Sequence, residues 1–292
     1  MAEQGFGKTT NGKVALILEG GSFRCQFTAG VLDVLMENGV TFGACYGVSA
    51  GTLCGLSFKS HQIGRPNRVN LAFCNDSRYM GSRAVATSGS LVGYDFILYD
   101  VQDRIDPFDT STYLANPMPL FATVSDIVFG TADYLEVKDP ILDIDAVRAS
   151  TSMPLVTPPV EIDGHLYLDG GIADSVPIER ALEHDGYDRA VVVLTQDRGY
   201  VKGPYEFMRP AHARYGDYPY FLEALENRHE RYNEQREHIW SYEDSGRAIV
   251  VAPPTPVEVA HVERDPEKLL RLYIQGRQEA VRLLARIKDF LA

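Results

Sequence analysis

Val14-Ala15-Leu16-Ile17-Leu18 is an unbroken apolar run of strand length, flanked by Lys13 and Glu19. A strand apolar at every position is buried on both faces, as in a parallel sheet covered by helices. The run leads into Glu19-Gly20-Gly21-Ser22-Phe23-Arg24, a glycine-bearing loop. Phe27, Val31, Val34 and Leu35 then recur at helical spacing, and Asn38-Gly39 is a stop signal. Ala44-Cys45-Tyr46 is a second short apolar run, followed by Gly47-Val48-Ser49-Ala50-Gly51 and a segment, Thr52 to Lys59, that reads as helix. Strand, glycine loop, helix, strand, tight turn, helix is two βα units in succession. It predicts an α/β fold with a mainly parallel sheet.

The pattern loosens after residue 60. Arg65 to Asn75 and Tyr94 to Ile105 are predicted helices, joined by a Ser/Gly-rich loop around Ala86 to Gly93, and Asp106-Pro107-Phe108-Asp109 is a turn. Leu120 to Val128 reads as a strand, Asp133 to Lys138 as its hairpin partner, and Asp143 to Ala149 as a short helix. Apolar positions alternate on both sides of Asp163-Gly164, which predicts a hairpin of Pro159 to Ile162 with His165 to Leu168. Ala190 to Thr195 is another apolar strand.

The last third is different in character. Leu222 to Trp240 and Pro266 to Leu291 are charged helices, with a strand expected at Ala248 to Val251. In the second helix Leu270, Tyr273, Ala280, Leu284, Ile287 and Leu291 form an apolar stripe interrupted by Arg277, which predicts a core-facing helix rather than a membrane-bound one. No repeat or low-complexity linker divides the chain. The expectation is one domain, with a catalytic core over about 14–200 and a helical C-terminal portion over about 218–292. Residues 1–12 are polar and expected to be loosely held.

Composition narrows the function classes. The chain has 292 residues, 45% of them hydrophobic, enough for a sizeable core. The net charge of −12, with no Lys/Arg-rich block, argues against a nucleic-acid partner. It equally disfavours electrostatic adhesion of the whole chain to anionic membrane. No run approaches the ~18 apolar residues of a membrane span, and Val14 to Leu18 is too short for a signal-peptide core. Cys25, Cys45, Cys54 and Cys74 show no C-x-x-C spacing, so small buried residues in a reducing cytoplasm are expected rather than a disulfide frame. No H-E-x-x-H or Cys/His cluster suggests a metal, and no cofactor is expected.

Three stretches carry candidate chemistry. Gly47-Val48-Ser49-Ala50-Gly51 fits a G-x-S-x-G nucleophile elbow, because strand, tight turn and helix surround it. In such a turn the glycines Gly47 and Gly51 let strand and helix approach, strain exposes the serine hydroxyl, and the helix N-terminus faces it. The pentapeptide alone arises by chance in roughly one chain of this size in ten at average residue frequencies, and a capping serine in a plain βα turn is the competing reading. The loop at Gly20, Gly21 and Ser22 fits neither phosphate-binding glycine pattern. Its N–H groups could instead form an oxyanion hole facing Ser49. Asp169-Gly170-Gly171 closes the second hairpin arm, where a turn or an N-cap is the plain alternative.

Taken in order and spacing, Glu19 to Arg24, Gly47 to Gly51 and Asp169-Gly170-Gly171 resemble the patatin-like phospholipase family, in its bacterial subgroup. Ala149-Ser150-Thr151-Ser152-Met153-Pro154 is similar to a segment of that family, and Arg228-His229-Glu230-Arg231-Tyr232-Asn233 to the tail of one bacterial subgroup. The resemblance covers roughly residues 14–200 and implies a three-layer α/β/α fold. It departs at two positions. The family loop usually has three glycines, any residue, arginine and glycine, whereas Ser22 and Cys25 stand at the third and last glycine positions. A positive φ at either would strain it.

The resemblance implies a Ser49–Asp169 dyad without histidine. Ser49 attacks an acyl carbonyl, Asp169 serves as general base, the loop N–H groups hold the oxyanion and Arg24 adds positive potential. The implied substrate is a fatty acyl ester (phospholipid, lysolipid or small ester). A cytoplasmic protein in transient contact with membrane is the matching expectation. Two other readings stay open. One is a Ser–Asp–His triad using His184, His212, His229, His238 or His261. The other is a catalytically weak acyl- or lipid-binding regulatory protein, motivated by Ser22 and Cys25.

Overall fold

The computed structural model describes residues 13–292, so the polar stretch 1–12 lies outside the described residues. Eight strands among those residues share one sheet: β1 (Val14–Leu18), β2 (Ala44–Val48), β3 (Leu120–Asp126), β4 (Ala132–Glu136), β5 (Val160–Ile162), β6 (His165–Asp169), β7 (Arg189–Val193) and β8 (Ala248–Val251). Their order is β5-β6-β3-β2-β1-β7-β8, with β4 added beside β3. The run from β3 through β2, β1 and β7 to β8 is parallel, whereas β4 and β6 meet β3 antiparallel. The mixed α/β class, mostly parallel, is as the apolar runs predict.

Full apolarity of β1 has the expected cause. Leu16 and Leu18 enter one core with α1 (Gln26–Glu37) and α2 (Ala50–Lys59), while Ala15 and Ile17 face a second core on the other side of the sheet. The second core is completed by Tyr232 and Ile239 of α9 (Arg228–Asp244) and by Leu182. Helices therefore cover both faces. The Asp163-Gly164 hairpin forms between β5 and β6, with φ of 51° and 84° at its two central residues, the conformation a two-residue hairpin turn requires.

Several elements differ from expectation. Helix α3 (Arg65–Phe73) forms as predicted, but α4 (Ser82–Ser88) occupies part of the expected Ser/Gly loop. It buries only Ala84, so it leaves no apolar periodicity to read. Residues 96–105 are helical but wind at the wider π pitch, as do Arg180–His184. A short α5 (Thr110–Ala115) follows the Asp106 turn, started by the Asp109 carboxylate accepting from the Thr112 N–H at 2.9 Å. The short predicted helix appears as α6 (Ile144–Thr151), while α7 (Met208–Tyr215) was not legible. The helix expected from Leu222 is two, α8 (Pro219–Glu226) and α9, broken at Asn227.

The C-terminal helix α10 (Pro266–Leu291) faces the core as predicted, but the buried row is Leu269, Leu272, Gly276, Ala280, Leu283, Ile287 and Leu291, with Leu270 exposed. Gly276, rather than Arg277, marks the contact. A Cβ there would sit 2.1 Å from the Phe27 carbonyl oxygen of α1, and one on Gly30 would sit 2.1 Å from that of Tyr273. The two helices thus touch backbone to backbone. Gly276→Val is expected to force them apart and destabilise the protein by about 3 kcal/mol or more, read as a lower urea midpoint; an unchanged midpoint would refute the contact. Among the described residues, no helix is long and apolar enough to cross a membrane, and all four cysteines are free and buried.

Candidate active site

The turn after β2 has the geometry the G-x-S-x-G pattern requires. Ser49 takes φ 54° and ψ −127°, outside the comfortable regions for a side-chain-bearing residue and costing about 1–3 kcal/mol. The surroundings hold it there. Its N–H donates to the Ser150 hydroxyl at 3.0 Å, which also bonds the Thr52 hydroxyl at 2.9 Å, and its carbonyl accepts from the Thr52 N–H at 2.9 Å. A Cβ on Gly47 would come within 2.5 Å of Thr52 Cα, and one on Gly51 within 2.5 Å of the Leu18 carbonyl oxygen. Although Ser49 stands at the N-cap of α2, its side chain makes no cap hydrogen bond. The hydroxyl is free for chemistry, unlike that of a capping serine.

Strand β3 brings the acid to this serine. Along one edge β3 pairs throughout with β4. Along the other it pairs first with β2, ending at Thr123 opposite Val48, and then with β6, beginning at Val124 opposite Asp169. The C-terminal ends of β2 and β6 therefore meet one residue apart on a shared edge, and Ser49 and Asp169 emerge side by side. Close packing secures the junction: a Cβ on Gly170 would lie 2.2 Å from the Thr123 carbonyl oxygen. The Asp169 N–H donates to the Ser152 carbonyl at 2.8 Å, and the Ser125 hydroxyl donates to the Asp169 carbonyl at 2.9 Å.

Asp169 is buried, and burial raises its carboxyl above the ordinary aspartate pKa of 3.8. The Ser49 hydroxyl, the Gly171 N–H and the charges of Arg228 and Lys202 oppose that rise. The carboxylate also caps the short turn Gly170–Ile172 through the 2.9 Å bond from the Gly171 N–H. The plain N-cap reading is thus true of one oxygen, while the carboxylate also interacts with Ser49.

The glycine loop lies directly against Ser49. A Cβ on Gly20 would be 2.9 Å from Ser49 Cβ and 2.9 Å from the Val48 carbonyl oxygen. Gly21 has no room beside Thr195, whose hydroxyl donates to the Gly20 carbonyl at 2.7 Å. Among the described residues the N–H groups of Gly20, Gly21 and Ser22 find no acceptor. Ser22 is strained, with φ 52°, and its hydroxyl donates to the His261 carbonyl at 2.6 Å. Cys25, at φ −65°, is not strained. Of the two departures from the glycine pattern, only Ser22 therefore requires positive φ.

Ser49 opens onto an apolar cavity of about 130 Å³ lined by Leu53, Leu56, Val69, Met80, Val92 and Val101. One water needs only ~15 Å³ by the same measure, so the space suits an alkyl chain. Its walls come largely from α2, α3 and the π-wound 96–105 segment, which explains why the irregular middle of the chain belongs beside the site.

None of the histidines makes a hydrogen bond to Ser49 or Asp169 among the described residues. His184 and His212 are exposed, His229 contacts the Glu226 carbonyl, and His238 pairs with Glu179. His261 lies at the rim of the site: its carbonyl accepts from the Ser22 hydroxyl, and partial burial together with the nearby charges of Arg24, Lys202 and Arg228 lowers its imidazole pKa to about 4. Sequence reasoning missed the supports Ser150, Ser152 and Ser125 as functional groups, and it missed Lys202 and Arg228. For Ser150, Ser152 and Arg228 a signal existed, in the 149–154 segment and the 228–233 segment. No group of ligating side chains able to hold a metal is present among the described residues.

Residues 16–182 match the family model for patatin-like phospholipase, and residues 218–292 match that of a domain of unknown function, DUF6363. The uncharacterized protein YjjU of Escherichia coli K12 is 29% identical over 189 residues, 63% of this chain and 52% of that protein. The uncharacterized NTE family protein Rv1063c of Mycobacterium tuberculosis H37Rv is 29% identical over 173 residues, 57% of this chain and 44% of that protein. The chain spans about half the length of the curated relatives it matches. The crystal structure of VipD from Legionella pneumophila aligns at a TM-score of 0.45 and 12% identity, covering 94% of this chain and 66% of that one.

Proposed function

The chain belongs to the patatin-like phospholipase family, a lipid hydrolase family, and from that premise we propose that it is a serine acyl hydrolase working through Ser49 and Asp169. The reading rests on the β3 junction, which puts a strained, uncommitted serine hydroxyl beside a buried carboxylate with no histidine between them. Asp169 accepts the Ser49 proton as the hydroxyl oxygen attacks the ester carbonyl. The tetrahedral oxyanion is held by the Gly20, Gly21 and Ser22 N–H groups, one such donor contributing about 100- to 1000-fold in rate. Collapse expels the alcohol, protonated by Asp169, and leaves an acyl group on Ser49. Water then adds to the acyl carbonyl as Asp169 takes its proton, and collapse breaks the bond to Ser49 Oγ, returns that proton to the serine oxygen and releases the fatty acid.

The acyl chain occupies the apolar cavity beside Ser49. Four free, buried cysteines fit a reducing cytoplasmic setting, with transient contact at a lipid surface to collect substrate. Fluorophosphonate labelling, run beside hydrolysis of p-nitrophenyl esters of graded chain length, tests the reading. The expected result is one label per chain and turnover that improves as the chain lengthens to fill the cavity. A protein that neither labels nor hydrolyses would instead be the acyl-binding regulator that Ser22 in the loop suggests.

A further inference from the structure

Two partly buried cations without an ion-pair partner among the described residues, Lys202 and Arg228, act on Asp169, and Arg24 lies in the same neighbourhood. Lys202 is half-buried, and its ammonium makes no hydrogen bond or ion pair among the described residues; it lies 4.3 Å from the centroid of the Tyr232 ring. Arg228 donates its Nε–H to the Gly171 carbonyl, leaving both of its η nitrogens without an acceptor among the described residues. Arg24 is only 9% exposed, and its buried Nε has no partner among the described residues. Burial first, and then the charges of Arg228, Arg24 and Arg236, together lower the Lys202 pKa to about 7 against the pull of Glu19, so these groups share one neighbourhood.

Such an arrangement is unfavourable by itself, because desolvated cations are normally paired. The chain has acids to spare at −12 and pairs other arginines closely, as in Arg277–Glu37 at 2.8 Å. Glu19 and Asp169, the carboxylates whose charges meet the cluster, are already committed. Glu19 accepts from the Tyr232 hydroxyl at 2.6 Å and from the Thr195 hydroxyl at 3.1 Å, and Asp169 is the proposed base. Arg236 is bonded to the Asp197 carbonyl and the Tyr232 hydroxyl, but Lys202, Arg228 and Arg24 keep unused donors, an excess that suits a phosphate better than a single carboxylate. The cluster also adjoins the reacting groups. The Cβ position of Gly171 is 3.2 Å from Arg228 Nη2 and 3.2 Å from Asp169 Oδ1.

We propose that Lys202 and Arg228, together with Arg24, form a subsite that binds the phosphate of a phosphate-bearing acyl ester beside the carbonyl presented to Ser49. Lys202 and Arg228 both lie beyond residues 16–182, so the later part of the chain supplies this selectivity to the family core. The inference takes its substrate from the acyl-hydrolase reading, but its binding test does not depend on turnover.

The test uses full-length Ser49→Ala protein and isothermal titration with four probes: lysophosphatidate, a monoacylglycerol of the same chain, glycerol 3-phosphate and inorganic phosphate. Lysophosphatidate is expected to bind about 10- to 100-fold tighter than the monoacylglycerol, the range of one charge-assisted hydrogen bond network. Adding Lys202→Met is expected to reduce that ratio about 10-fold, while Lys202→Arg keeps most of it. A ratio near one, or a ratio that Lys202→Met leaves intact, overturns the subsite. Inorganic phosphate binding as tightly as lysophosphatidate overturns its assignment to a lipid headgroup. With Ser49 restored, the ratio of kcat/KM for the two lipids should follow the binding ratio. Selective binding without turnover of either lipid upholds the subsite and sinks the Ser49–Asp169 reading instead.

Discussion

Ser49→Ala is expected to abolish fluorophosphonate labelling and to lower ester turnover by about 10⁴-fold or more, the scale seen when a hydrolytic nucleophile is removed. The fold should be nearly indifferent. Alanine inherits the same strained backbone, φ 54°, and the bonds that hold the turn come from the Ser49 N–H and carbonyl, which the substitution keeps. The hydroxyl caps nothing, so no helix-terminal hydrogen bond is lost. A thermal midpoint within a few degrees of wild type, with turnover gone, is therefore the signature of a nucleophile. If turnover instead survives with labelling lost, the acyl-enzyme route is wrong and Ser49 only positions substrate. If the midpoint collapses, the loss of activity says nothing about chemistry, and Ser49→Cys, which keeps a nucleophile of similar size, becomes the deciding variant.

The serine side of the site was legible because its signals are local. An apolar strand, a glycine on each side of a serine and a helix at once afterwards fix the turn within a few residues, and steric crowding at Gly47 and Gly51 is the physical content of that pattern. The acid side was not legible in the same way. Asp169 reaches Ser49 because β3 exchanges β2 for β6 along one edge between Thr123 and Val124, a pairing choice that no local periodicity encodes. Only resemblance to a known family brought it forward. The C-terminal stripe shows a third case. Helical period was clear, but the face was misjudged in its first half because Gly276, which has no hydrophobic side chain to count, sits at the closest contact. Lys202 was missed for a related reason: as sequence it is one charge in a charged region, and only partial burial without an ion-pair partner among the described residues distinguishes it.

Asp169→Asn is expected to separate catalysis from stability. Asparagine can still accept from the Gly171 N–H, so the cap on Gly170–Ile172 survives, but it cannot take a proton from Ser49. Turnover should fall by about 10³- to 10⁴-fold, comparable with the loss of a base in other hydrolytic sites. Stability should move the other way. The folded carboxyl has a pKa raised above 3.8 by burial, so the folded state holds its proton more tightly than the unfolded chain does. Its ionisation therefore takes stability away as pH rises from the unfolded value through the folded one, and the full penalty stands at neutral pH. Asparagine carries none of it. At pH 7 the variant should melt at or above the wild-type temperature, and the difference should vanish well below the unfolded pKa of 3.8, where both proteins hold a neutral side chain in both states. The same shift places the acidic limb of wild-type kcat/KM above the ordinary aspartate range, because the base must be ionised to act. A variant that is both inactive and strongly destabilised at pH 7 would reverse this logic: Asp169 would then be chiefly the cap of its turn, and the proton of Ser49 would need another acceptor.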